Sequence, residues 1–196
     1  DVRLASADSV FRMPAARLPQ LRFALESIVG LPRLYGAQAF PDLSADLTQT
    51  ILDEAGKFAG EVLAPLNRIG DQEGSKLENG AVRLPKGFAD AYRQYVDAGW
   101  NSITGAPEFG GQGMPHTLGI AIQEMWQSAN MAFGLCPILS QGAIEALSAH
   151  GTAEQKQTYL PKLIAGSWTG TMNLTEPHAG SDVGALRTKA ERASDG

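Results

Sequence analysis

One long stretch of this sequence, residues 115–150, contains only two charged residues, Glu124 and Glu145. Its apolar residues recur at helical spacing, which predicts two helices, broken near Gly134 and Pro137, at the centre of the core. The chain has 196 residues, 43% of them hydrophobic, which is enough apolar material for such a core. The sequence therefore predicts a folded, mainly helical protein.

Two further helices are predicted ahead of this stretch. The apolar residues between positions 47 and 63 fall on one helical face, with Ser44 as the N-cap and Pro65 as the residue that ends the helix. A second helix is predicted over residues 85–98, because proline favours a first turn and Gly99 can adopt the left-handed conformation that follows a helix.

The segments between and after these helices carry turn and cap signals. Residues 67–84 are polar and rich in glycine, which predicts a surface loop. Thr152 and Gln155 have the spacing of a capping box at the start of another helix. We expect Pro161 to interrupt or kink that helix and Gly166 to mark its end.

The hydrophobic period changes after the last helix. Residues 168–174 (WTGTMNL) and 186–193 (LRTKAERA) alternate in the manner of β-strands, and Asp195-Gly196 is a favoured hairpin turn. A strand that enters such a turn needs a returning partner, so we expect the chain to be the N-terminal part of a longer polypeptide. The expected divisions are a leader at 1–43, an all-helical domain at 44–166 and the start of a β domain at 167–196.

Composition and charge argue against several classes of protein. The net charge is −5, without a cluster of Lys and Arg, which argues against a partner made of nucleic acid. The single cysteine, Cys136, has no partner for an internal disulfide, which favours a reducing cytoplasm, and we expect it to be a small buried hydrophobe. No run of 18 apolar residues occurs, so no membrane span is predicted.

Residues 171–182, TMNLTEPHAGSD, concentrate polar side chains in a short stretch. Glu176, His178 and Asp182 could hold a metal ion, but no second histidine lies at a ligand spacing. Ser181 with His178 could indicate a hydrolase, yet the G-x-S-x-G pattern is missing. An ordinary capped turn, in which Asp182 and Ser181 bond their own backbone, is a further alternative.

The same stretch could instead bind a planar, phosphate-bearing cofactor. Thr175 offers a hydroxyl beside free strand N–H groups, Pro177 sets the turn, and Gly180 and Ser181 permit close backbone approach to a diphosphate. Residues 101–186 hold six acidic residues against two lysines, so neutral donors rather than cations would hold the phosphates.

Four motifs together resemble the acyl-CoA dehydrogenase family. NLTEPHAGSDVGALRTKA (173–190) resembles the family's signature, and PEFGGQGMP (107–115), GTAEQKQTYLPKLIAGSW (151–168) and the helix between them match in order and spacing. The resemblance covers about residues 45–196. Residues 20–40, together with Asn173 and His178, are similar to longer members of the family, including the 3-methylmercaptopropionyl-CoA dehydrogenase group.

The resemblance implies a fold and a cofactor. The N-terminal helical domain of the acyl-CoA dehydrogenase fold precedes a β-barrel-like middle domain, of which this chain holds the first strands, and a C-terminal helical domain; FAD lies between the last two and across a dimer interface. Backbone N–H groups around Leu174 and the Thr175 hydroxyl are then expected at the isoalloxazine ring, which Met172 also lines. Gly180 and Ser181 are expected at the diphosphate, with Ser181 also reaching the acyl-CoA.

The implied reaction is the α,β-dehydrogenation of an acyl-CoA thioester. A glutamate removes the α-proton while hydride passes to flavin N5. That glutamate belongs to the C-terminal domain, so we expect no catalytic residue and no metal ligand in this chain. Glu176 and Asp182 are expected to fix the turn, whereas the role of His178 stays open.

Partners and alternatives follow from the same resemblance. The expected partners are an acyl-CoA substrate, an electron-transfer flavoprotein or similar acceptor, and further copies in a homodimer or homotetramer, in the cytoplasm or, in a eukaryote, the mitochondrial matrix. An acyl-CoA oxidase or flavin monooxygenase of the same fold differs in whether oxygen reaches the reduced flavin. A helical binding or scaffold fragment without catalysis is the alternative from a different class.

Overall fold

A computed structural model describes residues 18–194 as a mainly helical protein, as predicted. The α-helices are α1 (Leu18–Phe23), α2 (Ala45–Lys57), α3 (Ala64–Glu73), α4 (Phe88–Asp97), α5 (His116–His150) and α6 (Ala153–Ile164). Two short antiparallel strands, β1 (Lys76–Glu78) and β2 (Ala81–Arg83), form a hairpin between α3 and α4. The predicted turn at Asp195-Gly196 lies outside the described residues.

Helices α2 and α3 form one nearly continuous rod. Ser44 caps it as predicted, since its hydroxyl accepts a bond from the Leu47 N–H at 3.1 Å. The prediction that Pro65 ends the helix is wrong. A π-helical turn, Phe58–Leu63, precedes α3, and Pro65 lies in the first turn of α3, where its missing N–H is not needed.

The prediction of a loop at 67–84 is also wrong, because most of these residues form a helix and two strands. Its first part continues α3, and the rest forms the β1–β2 hairpin. Asn79 and Gly80 at the hairpin turn have φ angles of 53° and 80°. Positive φ at two successive turn residues is typical of the tight turn whose twist matches antiparallel strands. The helix predicted after it is present as α4, and Gly99 follows it with φ 77°.

Helix α5 is a helical hairpin rather than a straight rod. Asn130, within it, has extended backbone angles (φ −159°, ψ 91°). His116 Nε2 at one end lies 3.5 Å from Glu145 Oε1 near the other. An unbroken helix would separate these residues by about 43 Å. The prediction of two helices is therefore confirmed, and the two halves pack side by side.

The break in α5 lies at Asn130, not near Gly134 and Pro137 as predicted. The Asn130 side chain is fully buried; its oxygen accepts a bond from the Phe133 N–H at 3.0 Å and its amide donates to the Leu63 carbonyl at 3.2 Å. Asn130 thus caps the second half of α5 and ties it to the end of the π-helical turn. The second half then continues through Pro137.

The main core is built around an aromatic cluster. Tyr95 lies edge-on to Trp126 at a centroid distance of 5.1 Å and to Phe133 at 5.9 Å, and Phe58 lies edge-on to Trp126 at 6.2 Å. Each such pair contributes about 0.5–1.5 kcal/mol beyond area burial. Burial raises the pKa of Tyr95 far above its ordinary value, and its hydroxyl donates to Asn101 Oδ1 at 3.3 Å.

The described part of the leader belongs to this core. Leu25, Leu31 and Leu43 are buried in the same apolar cluster as α2. Arg22 Nη2 lies 2.5 Å from Asp53 Oδ1, which joins α1 to α2. The leader is therefore packed against the helical domain.

Helix α6 closes a smaller cluster against the second half of α5, formed by Ile144, Leu160, Leu163 and Ile164. The predicted capping box is confirmed, with the Gln155 N–H 3.2 Å from Thr152 Oγ1 and the Thr152 N–H 2.9 Å from Gln155 Oε1. Of the two expectations for Pro161, an interruption or a kink, the interruption is wrong, because α6 continues to Ile164. Gly166, with φ 71°, follows the helix as predicted.

Part of α5 has an exposed apolar face. Met131, Leu135 and Ile138 recur at helical spacing and are exposed, and Cys136 beside them is exposed rather than buried as predicted. Among the described helices, α5 is the one long and apolar enough to cross a membrane. Its fold-back at Asn130 and the buried residues on both halves identify it as a core helix hairpin.

Candidate functional site

The chain leaves the helical core through residues 168–175, named the extended segment after their alternating sequence, and the strands predicted at 168–174 and 186–193 are absent. Neither segment joins a ladder, and among residues 18–194 the pairing is limited to the β1–β2 hairpin and an isolated bridge between Glu176 and Ala179. A strand exists only when another segment pairs with its N–H and C=O groups. The two segments with the alternating pattern therefore lack a pairing strand among residues 18–194.

Gly170 fixes the point at which this segment crosses α5. Its N–H donates to Ser140 Oγ at 3.1 Å, and the Ser140 hydroxyl donates to the Cys136 carbonyl at 3.2 Å. A Cβ at position 170 would lie 2.6 Å from Ala143 Cβ and 2.9 Å from the Leu139 oxygen. The segment approaches the helix so closely that a side chain has no room.

Trp168 fixes the start of the segment against α6. Its N–H donates to the Lys162 carbonyl at 3.1 Å, and Lys162 Nζ lies 4.1 Å from the Trp168 ring centroid. The Tyr159 ring lies 6.1 Å from the same ring. An exposed contact between a cation and an aromatic ring contributes about 0.5–1 kcal/mol, so the extended segment begins at a defined place.

Residues 171–175 present both apolar side chains and free hydrogen-bond donors. Met172 is 64% exposed and Leu174 is 42% exposed. They are two residues apart, so in an extended chain they lie on the same side. Within the described chain, the N–H groups of residues 171–175 have no hydrogen-bond partner, and the Thr175 side chain is exposed. The segment offers donors beside a small apolar surface.

A tight turn follows directly. The Glu176 N–H donates to the Ala179 carbonyl at 2.8 Å and the Ala179 N–H donates back at 3.1 Å, with Pro177 between them. Ala179 itself is buried, at 4% exposure. A Cβ at Gly180 would lie 3.3 Å from Thr175 Cγ2, so the structure brings these two predicted site residues together.

The Glu176 carboxylate holds the two sides of the following loop together. It accepts bonds from the Arg187 N–H at 3.1 Å, the Thr188 N–H at 2.7 Å and the Thr188 hydroxyl at 2.5 Å. These bonds, above all the one from the Thr188 hydroxyl, lower the pKa of Glu176. The prediction that Glu176 fixes the turn is confirmed.

His178 and Asp182 lie on the same loop. His178 Nε2 lies 3.1 Å from the Ala185 carbonyl oxygen and 3.4 Å from Glu176 Oε2. Asp182 precedes a short helical turn, Val183–Ala185, and bonds the Ala185 N–H through its carbonyl, not through its side chain. Asp182 thus contributes to the turn through its main chain.

Ser181 is exposed beside Gly180, at the tip of this loop. Among the described residues, no group of three or more His, Cys, Asp or Glu side chains could hold a metal ion. Between positions 171 and 186 the sequence contains no Lys or Arg. The N–H groups, hydroxyls and exposed apolar side chains of this stretch, with no cation among residues 171–186, are of the types that fit a planar, phosphate-bearing cofactor.

Sequence reasoning missed Gly170, Ser140 and Thr188. A glycine inside an alternating pattern often marks a close approach of two backbones, so Gly170 carried a usable signal. Ser140 carried none, and Thr188 stood in the 173–190 motif without an assigned role, because their roles arise from contacts across 30 and 12 positions of sequence.

The order of helices, with a Thr-Glu-Pro turn after the last one, agrees with the helical domain that the resemblance to acyl-CoA dehydrogenases implies. The family model for the acyl-CoA dehydrogenase N-terminal domain matches residues 46–167, and the chain belongs to this family.

Curated relatives extend the similarity beyond the family model. The chain is 48% identical over 181 residues to the 3-methylmercaptopropionyl-CoA dehydrogenase of Ruegeria pomeroyi, covering 92% of the chain and 31% of that protein. It is 32% identical to a butyryl-CoA dehydrogenase of Syntrophomonas wolfei, covering 88% of the chain and 29% of that protein. The chain therefore spans about a third of the length of these relatives.

Solved structures share the fold. A chain from a structure of the electron transferring flavoprotein of Acidaminococcus fermentans matches with a TM-score of 0.63 at 27% identity, over 79% of this chain and 38% of that one. The butyryl-CoA dehydrogenase of Megasphaera elsdenii matches with a TM-score of 0.60 at 22% identity, over 74% of this chain and 36% of that one.

Proposed function

We propose that the chain is the N-terminal part of an FAD-dependent enzyme that dehydrogenates an acyl-CoA thioester between its α and β carbons. The observation that carries the proposal is the exposed segment 171–175, which combines unpaired N–H donors with the adjacent apolar side chains of Met172 and Leu174. The names of the relatives, which are acyl-CoA dehydrogenases, supply the reaction.

Each predicted site residue has a role in this proposal. The N–H groups around Leu174 and the Thr175 hydroxyl donate to polar atoms of the isoalloxazine ring, and Met172 contacts the ring's apolar part. Gly180 and Ser181 contact the diphosphate through N–H groups and a hydroxyl, and Ser181 also reaches the acyl-CoA. Neutral donors of this kind hold an anion without a cationic side chain.

Bound FAD would supply the hydride acceptor, and the protein must supply a base for the α-proton. Glu176 is unsuited to that role, because its carboxylate is occupied by donors from Arg187 and Thr188 that lower its pKa. A base must be able to accept a proton at the working pH. The proposal therefore assigns proton abstraction to a glutamate outside this chain.

The partners are part of the same proposal. An electron-transfer flavoprotein or a similar protein would reoxidise the cofactor, and a homodimer or homotetramer would complete the cofactor site. The relatives include bacterial and mitochondrial enzymes, which supports a cytoplasmic or matrix enzyme.

The proposal is tested on the full-length gene product. It should purify with flavin absorbance that acyl-CoA bleaches under anaerobic conditions, and should pass electrons to an acceptor protein. Oxygen consumption at a comparable rate would instead indicate an oxidase. A colourless protein that takes up no added FAD would refute the proposal.

A pair of variants locates the site. Thr175→Ala removes the proposed ring contact and should shift the bound flavin spectrum and weaken FAD binding by roughly fivefold, as expected for one lost hydrogen bond. Thr158→Ala is the control, because the Thr158 hydroxyl bonds only within α6, to the Glu154 carbonyl. Equal FAD binding and spectra in both variants would exclude Thr175 from the site.

A further inference from the structure

We propose that His178 is a positioning residue of the cofactor site, which holds the loop carrying Gly180 and Ser181 through a hydrogen bond from Nε2–H to the Ala185 carbonyl. The inference rests on the proposed function, because it assigns that loop to the FAD diphosphate. It gives a role to a side chain whose role the sequence left open.

The geometry shows two connections across one loop. Glu176 reaches across to Thr188, and His178 reaches across to Ala185 at 3.1 Å. The His178 connection is the inner one and encloses residues 179–184, which contain the proposed phosphate contacts. Along the chain, it is therefore nearer to Gly180 and Ser181 than the outer connection made by Glu176.

The surroundings of the imidazole determine which of its nitrogens carries a proton. Nε2 lies close to two acceptors, the Ala185 carbonyl oxygen at 3.1 Å and Glu176 Oε2 at 3.4 Å. A nitrogen that faces acceptors must carry the proton to form a hydrogen bond. His178 is therefore a donor at Nε2.

Losing the donor affects the loop more than the fold. His178 is exposed and belongs to no apolar cluster of the core. Without its bond the Ala185 carbonyl turns to solvent, and the loop samples more conformations before the cofactor is bound. Binding must then order the loop, which reduces the apparent affinity.

The test uses the full-length gene product and compares FAD dissociation constants after removal and readdition of the cofactor. His178→Ala is expected to weaken FAD binding about five- to tenfold, the size of one hydrogen bond with its preorganisation. His178→Gln keeps a donor of similar reach and is expected to stay within about twofold of the natural protein. His150→Ala, at the exposed end of α5, is the control and is expected to change nothing.

Each result decides between the two proposals. If the natural protein takes up FAD and His178→Ala binds it equally well, or if His178→Gln is as weak as His178→Ala, the positioning role is overturned while the proposed function stands. If the natural protein takes up no FAD, the proposed function fails and the inference fails with it.

A spectroscopic measurement covers the case in which His178→Ala does not fold. Long-range ¹H–¹⁵N spectra of the natural protein report the imidazole tautomer directly. A proton on Nε2 that couples to the Ala185 carbonyl carbon supports the inference. An Nε2 without a proton, in the folded protein with FAD bound, overturns it.

Discussion

Gly170 determines how closely the extended segment approaches α5. An added Cβ would lie 2.6 Å from Ala143 Cβ and 3.1 Å from Ser140 Cα, so either the segment or the helix must move. We expect Gly170→Ala to lower the free energy of unfolding by about 1–3 kcal/mol, the cost of overpacking a close contact. Equilibrium urea unfolding, followed by circular dichroism, measures the change.

Gly142 is the matched control for this substitution. Gly142 lies on α5, the helix against which Gly170 packs. It is exposed, and a Cβ built on it has no atom within 4 Å. Gly142→Ala should therefore stabilise the protein by about 0.5–1 kcal/mol, because alanine is the better helix former. Equal midpoints for the two variants would show that Gly170 does not pack closely on α5.

Glu176 makes the order of the loop dependent on pH. Its pKa is lowered in the folded protein, so its contribution is present above the ordinary glutamate pKa of about 4.3 and is lost as the pH falls through the lower folded-state value. We expect the Thr188 amide resonance to move during acidification in the natural protein and to stay constant in Glu176→Gln. Glu191→Gln, an exposed control, should leave the titration of Thr188 unchanged.

Among the elements, those defined by local chemistry were predictable from the sequence. Ser44 and the Thr152–Gln155 capping box begin helices where expected, because a cap is decided by residues three positions apart. The Asn79-Gly80 pair is an equally local signal for a hairpin, and the polar composition around it concealed the strands. The break in α5 combines a local cap, from Asn130 to the Phe133 N–H, with a bond from Asn130 to the distant Leu63 carbonyl, which no local pattern contains.

Asn130 sets the geometry of the α5 hairpin. Replacing it with alanine removes the cap on the Phe133 N–H and the side-chain hydrogen bond to the Leu63 carbonyl. We expect Asn130→Ala to lower the free energy of unfolding by about 2–3 kcal/mol, from the lost cap and the lost buried hydrogen bond. Asn130→Ser keeps an oxygen that can cap the helix, so its free energy of unfolding should lie between those of the natural protein and Asn130→Ala.

Ser128, exposed two residues earlier on α5, provides the control for that series. Ser128→Ala should change the free energy of unfolding by less than about 0.5 kcal/mol, as surface substitutions usually do. Chemical denaturation of all four proteins gives the comparison. A loss in Asn130→Ala no larger than that in Ser128→Ala would contradict the assigned role.

At the scale of the whole molecule, the helical core and the extended segment differ in what the sequence can reveal. The core residues pack against one another within the described chain, so their pattern alone predicted a mainly helical fold. The alternating residues at 168–174 and 186–193 carry an equally clear pattern, yet they form no strands here. A hydrophobic period shows which face a segment presents, and only a partner's backbone converts the segment into a sheet.

The need of the extended segment for a partner predicts how residues 1–196 behave on their own. The proposed cofactor contacts all come from one exposed segment and one loop, whereas proteins usually enclose 70–90% of a bound ligand's surface. We therefore expect this chain alone to lose FAD during gel filtration and to leave acyl-CoA unchanged, even though its circular dichroism is that of a folded helical protein. The full-length gene product, passed through the same column, should keep its flavin. Flavin absorbance that elutes with residues 1–196 would mean that this segment holds the cofactor without a second surface.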